Sequence, residues 1–234
     1  MEHPILFLTL LFEAIGLGDF AHSYPHVLYS WLILIFLLVV ARLSTLSIKM
    51  IPGRAQNFFE VLVDAIENFQ VEIMGEEGRQ YFPLVASLFM YILLCNYLGM
   101  IPGMLSPTAN INTTLSCALV AFSATHYVGI RHHGIKYVKH FLGPMPALIP
   151  LMLPLEIIGH SSRVLSLTLR LFGNVMGEDL VLAILLFLAG KFLVPTPMMF
   201  LFLFFSAVQA FIFMLLTMMY ITAAIEESHM GEAH

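Results

Sequence analysis

Arg170 lies in one of the most apolar stretches of a 234-residue chain, in the run from Ser166 through Leu169, Arg170, Leu171, Phe172 and Gly173 to Asn174. A guanidinium keeps its proton in a protein. Placing one near the middle of a bilayer costs about 3 kcal/mol on insertion scales and about 10 or more in some simulations. A chain that carries such a charge uses it. The chemistry that suits a permanent intramembrane cation is ion passage.

Other polar residues share its helix face. At about 100° per residue, Glu156, His160, Arg163, Arg170, Asn174 and Glu178 fall within roughly 80° of arc, and Asp179 lies outside it. The rest of that helix is mostly Leu, Val, Ile and Phe. A polar stripe on an apolar helix cannot face lipid. It must face another helix, a wet cavity or a partner protein. The last apolar segment carries a weaker stripe of Ser206, Gln209, Thr217 and Tyr220. Antiparallel packing of the two helices would let Gln209 approach Arg170.

The bland alternative is an acid and a base that neutralise each other. Glu156 and Arg170 are separated by roughly 21 Å along a helix, too far to pair. Glu156 can pair within its helix with His160 or Arg163. Arg170 has no acidic residue within one turn, so its counter-ion is expected on another chain. His132, His133 and His140 read as solvated loop residues. His126 meets only His160 as a second imidazole at matching depth, so a haem site is disfavoured and no cofactor is expected. Cys95 and Cys117 sit in apolar spans and read as small buried hydrophobes.

The elements that hold these residues belong to a membrane. The chain is 59% hydrophobic and only 11% charged, with a mean hydropathy of +0.90. Soluble domains carry about 25% charged residues. Several segments reach the roughly 20 apolar residues that cross a bilayer. The expected fold is an all-α membrane protein: about five transmembrane helices plus one amphipathic helix, the last two spans long and tilted. It forms one polytopic domain over residues 1–234. An outer-side N-terminal segment covers 1–25, a span 26–47, an amphipathic helix 55–76, spans 82–104 and 112–130, a long tilted helix 147–189 and a long helix 198–226. Phe58, Leu62, Ile66, Phe69 and Ile73 recur at helical spacing in the amphipathic segment, between Glu60, Asp64, Glu67 and Glu72. Its acidic polar face favours packing on protein over attraction to anionic lipid.

Of the ten Lys and Arg residues, Arg42, Lys49, Arg54 and Arg79 flank the amphipathic helix, and Arg131, Lys136 and Lys139 fill one later loop. With one crossing per apolar segment both regions lie on the same side, which the positive-inside rule makes cytoplasmic. Five crossings then put the N-terminus outside and the C-terminus inside. No Lys or Arg occurs among the first 41 residues, so that region does not resemble a signal peptide. No basic cluster suits nucleic acid.

These motifs together resemble subunit a of the F-type ATP synthase. The resemblance is carried by Leu169-Arg170-Leu171-Phe172-Gly173-Asn174, Glu156 and Gln209-Ala210-Phe211-Ile212-Phe213, with the run from Asn96 to Gly103 and the run from Pro107 to Thr114 also fitting in order, and it covers roughly residues 25–226. It implies a stator beside a rotating ring of c subunits, each with one intramembrane carboxylate, with peripheral-stalk b subunits and the rest of the ATP synthase as further partners. Two aqueous half-channels would reach the carboxylate from opposite sides. The family's essential Arg matches Arg170, its channel Glu matches Glu156, its last-helix Gln matches Gln209, and Asn174 also matches. Glu156, His160, Arg163, Asn174, Glu178, Asp179, Ser206 and Gln209 then join Arg170 on the proton path. The family often has an acid nine residues after the Arg, which favours Asp179, whereas the helical stripe favours Glu178; both stay open. Some relatives carry a His seven residues before the Gln, where this chain has Phe202.

The physics of that role follows from Arg170. Lipid keeps a carboxylate protonated, and a fixed cation about 4 Å away favours ionisation by about 4 kcal/mol at an effective dielectric of about 20. The same cation blocks a proton from hopping straight between the half-channels. No G-x-x-x-x-G-K-[ST] loop is present, so ATP chemistry is expected on other subunits and the chain is not an enzyme on its own. The implied location is a bacterial inner membrane. A self-contained transporter or channel is the alternative, but no internal repeat supports it; a scaffold or haem-bearing redox subunit is the third reading.

Overall fold

The computed structural model describes residues 23–45, 53–101, 103–133, 149–189 and 195–231. Lys49, Pro102, the loop holding Lys136, Lys139 and His140, Pro144, Pro146 and Lys191 lie outside these residues, as does most of the expected N-terminal segment. The described residues form six α-helices: α1 (Pro25–Thr45), α2 (Arg54–Gly78), α3 (Phe82–Gly99), α4 (Ile111–His133), α5 (Ile149–Ala189) and α6 (Pro195–Gly231). Short 3-10 turns precede α3 and α4, and no strand occurs among the described residues. Five helical stretches are long and apolar enough to cross a membrane. The chain is an all-α, multi-pass membrane protein.

Length sets the posture of the last two helices. α5 has 41 residues and α6 has 37, so they run about 60 Å and 55 Å at 1.5 Å per residue. The hydrocarbon layer is about 30 Å thick. Neither helix fits upright within it. Pro154 lies inside α5 without ending it.

α3, α4, α5 and α6 pack around a shared core in which Ile92, Ala121, Leu171, Ala210 and Phe213 are almost fully buried. A second core at the end bearing Tyr81 and Val128 brings in α2 through Met74. α1 stands at the margin, contacting the rest through Leu28, Tyr29 and Ile33.

α2 divides its apolar face. Ile66, Phe69 and Ile73 pack on the second core, and the Phe69 ring lies 5.1 Å from that of Phe211 on α6. Phe58, expected on the same packed face, is instead 64% exposed. α2 breaks at Gly75, whose φ of 70° suits a residue without Cβ. The buried Gln70 amide spans the break by donating to the Gly78 carbonyl at 2.8 Å.

α4 runs three residues beyond the expected 130. Its last turn contains His132, whose ring nitrogen meets the Tyr81 hydroxyl at 2.9 Å. The expectation that His132 is a merely solvated loop residue is corrected by this bond: the Tyr81 hydroxyl ties the helix end to the turn before α3.

Candidate functional site

α5 carries its polar stripe along the edge between a buried and an open face. Leu167, Thr168, Leu171 and Val175 face the core, while Arg163, Arg170 and Asn174 are exposed. Thr168 is buried at no cost in unmet hydrogen bonds, because its hydroxyl donates to the Val164 carbonyl one turn back. The core face explains why the polar residues sit where they do: apolar side chains at i, i+4 and i+8 seal α5 against α4 and α6, leaving the stripe at the seam.

α5 and α6 are antiparallel. Arg163 lies over the Tyr220 ring at 5.4 Å, Asn174 bonds Gln209, and Glu178 bonds Ser206, so rising positions on α5 meet falling positions on α6. This register decides the fate of Gln209. Its side-chain oxygen accepts from the Asn174 amide at 2.5 Å, so Gln209 engages Asn174, one turn beyond Arg170, and not the guanidinium itself. Gln209 is 3% exposed, and its own amide nitrogen is buried without a partner among the described residues. No ion pair among the described residues engages Arg170.

Polar groups gather on both sides of Arg170 along the bundle. Toward the start of α5, Glu156 Oε1 lies 3.1 Å from His160 Nε2. Arg163 is taken by Tyr220, which leaves Glu156 to His160. Toward the other end, the Ser206 hydroxyl donates to Glu178 Oε2 at 2.8 Å. The Ser206 carbonyl accepts from the Asn96 amide at 3.3 Å, and the Asn96 oxygen accepts from the Thr108 hydroxyl at 2.7 Å. Ser106 closes the chain, 2.8 Å from Thr108 and donating to the Cys95 carbonyl at 2.9 Å. A small cavity of about 20 Å³ lies beside this network, bordered by Asn96, Ser106, Glu178, Asp179 and Phe202. Glu178 and Asp179 thus share one cavity, and among the described residues only Glu178 is hydrogen-bonded to α6.

The face next to Arg170 is open. A Cβ added at Gly159, Gly173 or Gly177 would meet nothing within 4 Å. Leu165, Leu169, Leu180 and Ile184 flank this strip and are roughly half exposed. Small residues on an apolar helix let another helix approach closely.

The family described as ATP synthase A chain matches residues 27–222. The chain belongs to the ATP synthase A chain family. It is 58% identical to ATP synthase subunit a of Syntrophobacter fumaroxidans over 98% of this chain and 100% of that one. With the same coverage, it is 50% identical to ATP synthase subunit a of Desulfosudis oleivorans and 52% identical to that of Geotalea daltonii.

As a member of the ATP synthase A chain family, this chain is a component of the ATP synthase complex. Sequence reasoning sets Glu156, His160, Arg163, Arg170, Asn174 and Glu178 on one stripe; in the structure Arg163, Asn174 and Glu178 meet α6 at three levels of the α5–α6 seam, while Glu156 pairs with His160 within α5. It missed Asn96, Ser106 and Thr108 as members of a polar network. Their signal was present: an Asn inside an apolar helix and hydroxyls in the turn that follows it in space. It also missed the Gly159, Ser166, Gly173 and Gly177 strip, whose spacings of seven and four mark one helical face. Among the described residues no group of three or more His, Cys, Asp or Glu is arranged to hold a metal ion. Cys95 and Cys117 are buried free thiols.

Proposed function

We propose that this chain is the proton-conducting stator subunit of the ATP synthase membrane sector. Two aqueous half-channels meet near Arg170, and a ring of c subunits turns against the open strip of α5. One observation carries the reading: Arg170 stands exposed, with no ion pair among the described residues, between a Glu156–His160 group and a Glu178–Ser206–Asn96 group on opposite sides of it along α5.

Each part has a task. Arg170 offers a fixed positive charge to a carboxylate brought past it, which releases its proton there and takes another before returning to lipid. The cation also bars direct passage between the half-channels. Lys would serve less well, because a buried ammonium can give up its proton. Asn174 and Gln209 hold the α5–α6 seam at this level, and the spare Gln209 amide is a hydrogen-bond donor for water or an arriving carboxylate. Glu178, steadied by Ser206, serves one half-channel with Asp179 beside it; Glu156 and His160, with Arg163 on Tyr220, serve the other. Phe202 borders the same cavity as Glu178, so the acid there works with water and hydroxyls and not with an imidazole at that position.

The drive is the membrane potential, worth about 2.3 kcal/mol per charge per 100 mV. In a bacterial inner membrane, the placement of basic residues favours the N-terminus outside and the C-terminus in the cytoplasm. The Glu156 half-channel then opens inward and the Glu178 half-channel outward. Peripheral-stalk b subunits would complete the stator.

The test uses cysteines at Glu178 and at His160, introduced one at a time into a chain whose Cys95 and Cys117 are replaced by Ala, in assembled complexes in sealed vesicles. A membrane-impermeant maleimide should reach the two positions from opposite sides. Labelling of both from the same side would overturn the two-half-channel reading.

A further inference from the structure

One pair of imidazoles stands apart from the α5–α6 seam. His126, on α4, lies with its ring centroid 4.9 Å from that of His160 on α5, the planes at 76°. Phe122, one turn earlier on α4, packs 4.1 Å from His126 and 6.0 Å from His160, so it borders both rings. Glu156 Oε1 touches His160 Nε2 at 3.1 Å. Side-chain exposure falls from 43% at Glu156 to 14% at His160, and His126 Nδ1 is buried. Glu156, His160 and His126 therefore form a continuous run of three titratable groups from the partly open stripe into the α4–α5 interface. Among the described residues Arg163 on α5 also faces the run, and it is engaged with the Tyr220 ring on α6. α4 contributes Tyr127 and Arg131 nearby in sequence, both exposed.

The residue types suit proton storage. Imidazole is the one side chain whose ordinary titration falls near neutral pH, at about 6.5. It takes a proton at one ring nitrogen and releases one from the other, which leaves the ring in its other neutral tautomer until a ring flip or a return transfer resets it. A structural pair would need only the packing that Phe122 supplies, and an aliphatic or phenyl side chain would serve at position 126.

We propose that His126 is a further proton-carrying residue, forming with His160 a two-imidazole reservoir that supplies and drains Glu156 at the mouth of its half-channel. The inference rests on the half-channel reading above and adds to it a residue from α4, outside the α5–α6 seam. A proton arriving from bulk water at Glu156 is held on one ring of the pair and returned to the Glu156 carboxylate when the path draws on it, and flow in the other direction reverses the steps. Arg170 decides whether flow couples to rotation; the His pair sets how fast protons reach it and at which pH.

The experiment compares assembled complexes in inverted vesicles carrying wild type, His126→Phe, His126→Gln and Arg170→Ala, measuring ATP-driven proton uptake from about pH 5 to pH 8, a window centred on the ordinary imidazole pKa. His126→Phe keeps the aromatic packing against Phe122 and His126→Gln keeps hydrogen bonding. The expected result for both is uptake slowed by about tenfold or more and a rate that no longer changes through the imidazole range, while the ratio of protons to ATP stays that of wild type. A wild-type rate and pH profile in His126→Phe overturns the proposal. If that variant assembles poorly, His126→Gln decides in the same way. Arg170→Ala separates the two failures: an Arg170→Ala complex that still pumps sinks the stator reading itself, whereas a silent one beside wild-type-like His126 variants sinks only the reservoir.

Discussion

The Asn174 amide donates to the Gln209 side-chain oxygen at 2.5 Å, joining α5 to α6 one turn from Arg170. The bond is asymmetric in burial, because Gln209 is 3% exposed while Asn174 lies on the open side of α5. Asn174→Leu strands a buried carboxamide, and losing a partner of that kind costs about 1–3 kcal/mol. Gln209→Leu removes the buried polar group itself and strands only an exposed amide, so it should cost less. Thermal dissociation of the assembled complex should rank Asn174→Leu as the less stable of the two; the opposite order would contradict the burial argument.

Glu178 and Asp179 border the same small cavity, but the Ser206 hydroxyl donates only to Glu178. Glu178→Ala is expected to slow ATP-driven proton uptake by about tenfold or more, as loss of a proton-transferring acid does. Asp179→Ala should slow it less. Uptake rates reversed in order would transfer the channel role to Asp179.

Gly99 is held against the turn before α4. A Cβ there would meet Ser106 Cβ at 2.6 Å and Ser106 Cα at 3.3 Å, and backbone cannot swing aside as a side-chain tip does. Gly99→Ala should therefore push Ser106 off its bonds to Thr108 and the Cys95 carbonyl and destabilise the bundle by about 1–3 kcal/mol. The expected readout is a lower yield of assembled complex and a lower thermal midpoint. A chain with Ala at 99 that assembles and melts like wild type would show that this approach has slack.

Glu156 is bonded to His160 but is well removed from Arg170, so its loss should change rate and not coupling. Glu156→Ala is expected to lower proton uptake while leaving the number of protons moved per ATP unchanged. An unchanged rate would assign Glu156 to structure alone, and a changed ratio would place it at the ring-facing step.

Composition and period made the five apolar helices legible, because a bilayer demands long apolar segments and little else satisfies that demand. The polar stripe on α5 was legible for the same reason: each polar residue is conspicuous among Leu, Val and Ile. What spacing could not supply was register between helices. Gln209 reads from sequence as an approach to Arg170, yet in the register of α5 against α6 it bonds Asn174, one turn on. The choice between Glu178 and Asp179 has the same character, since it turns on where Ser206 lands. The sequence could match His126 to His160 in depth alone, and their nearness depends on how α4 crosses α5. Phe58 shows the opposite case: helical spacing placed it on a packed face, but the partner surface ends before reaching it.

The central claim is that Arg170 couples proton flow to ring rotation. The most direct measurement is ATP-driven proton uptake by inverted vesicles bearing Arg170→Ala, with assembly of the complex verified in the same membranes. Uptake should be abolished, with ATP synthesis lost as well. Uptake at the wild-type rate by a fully assembled Arg170→Ala complex would contradict the claim and leave Arg170 a structural charge.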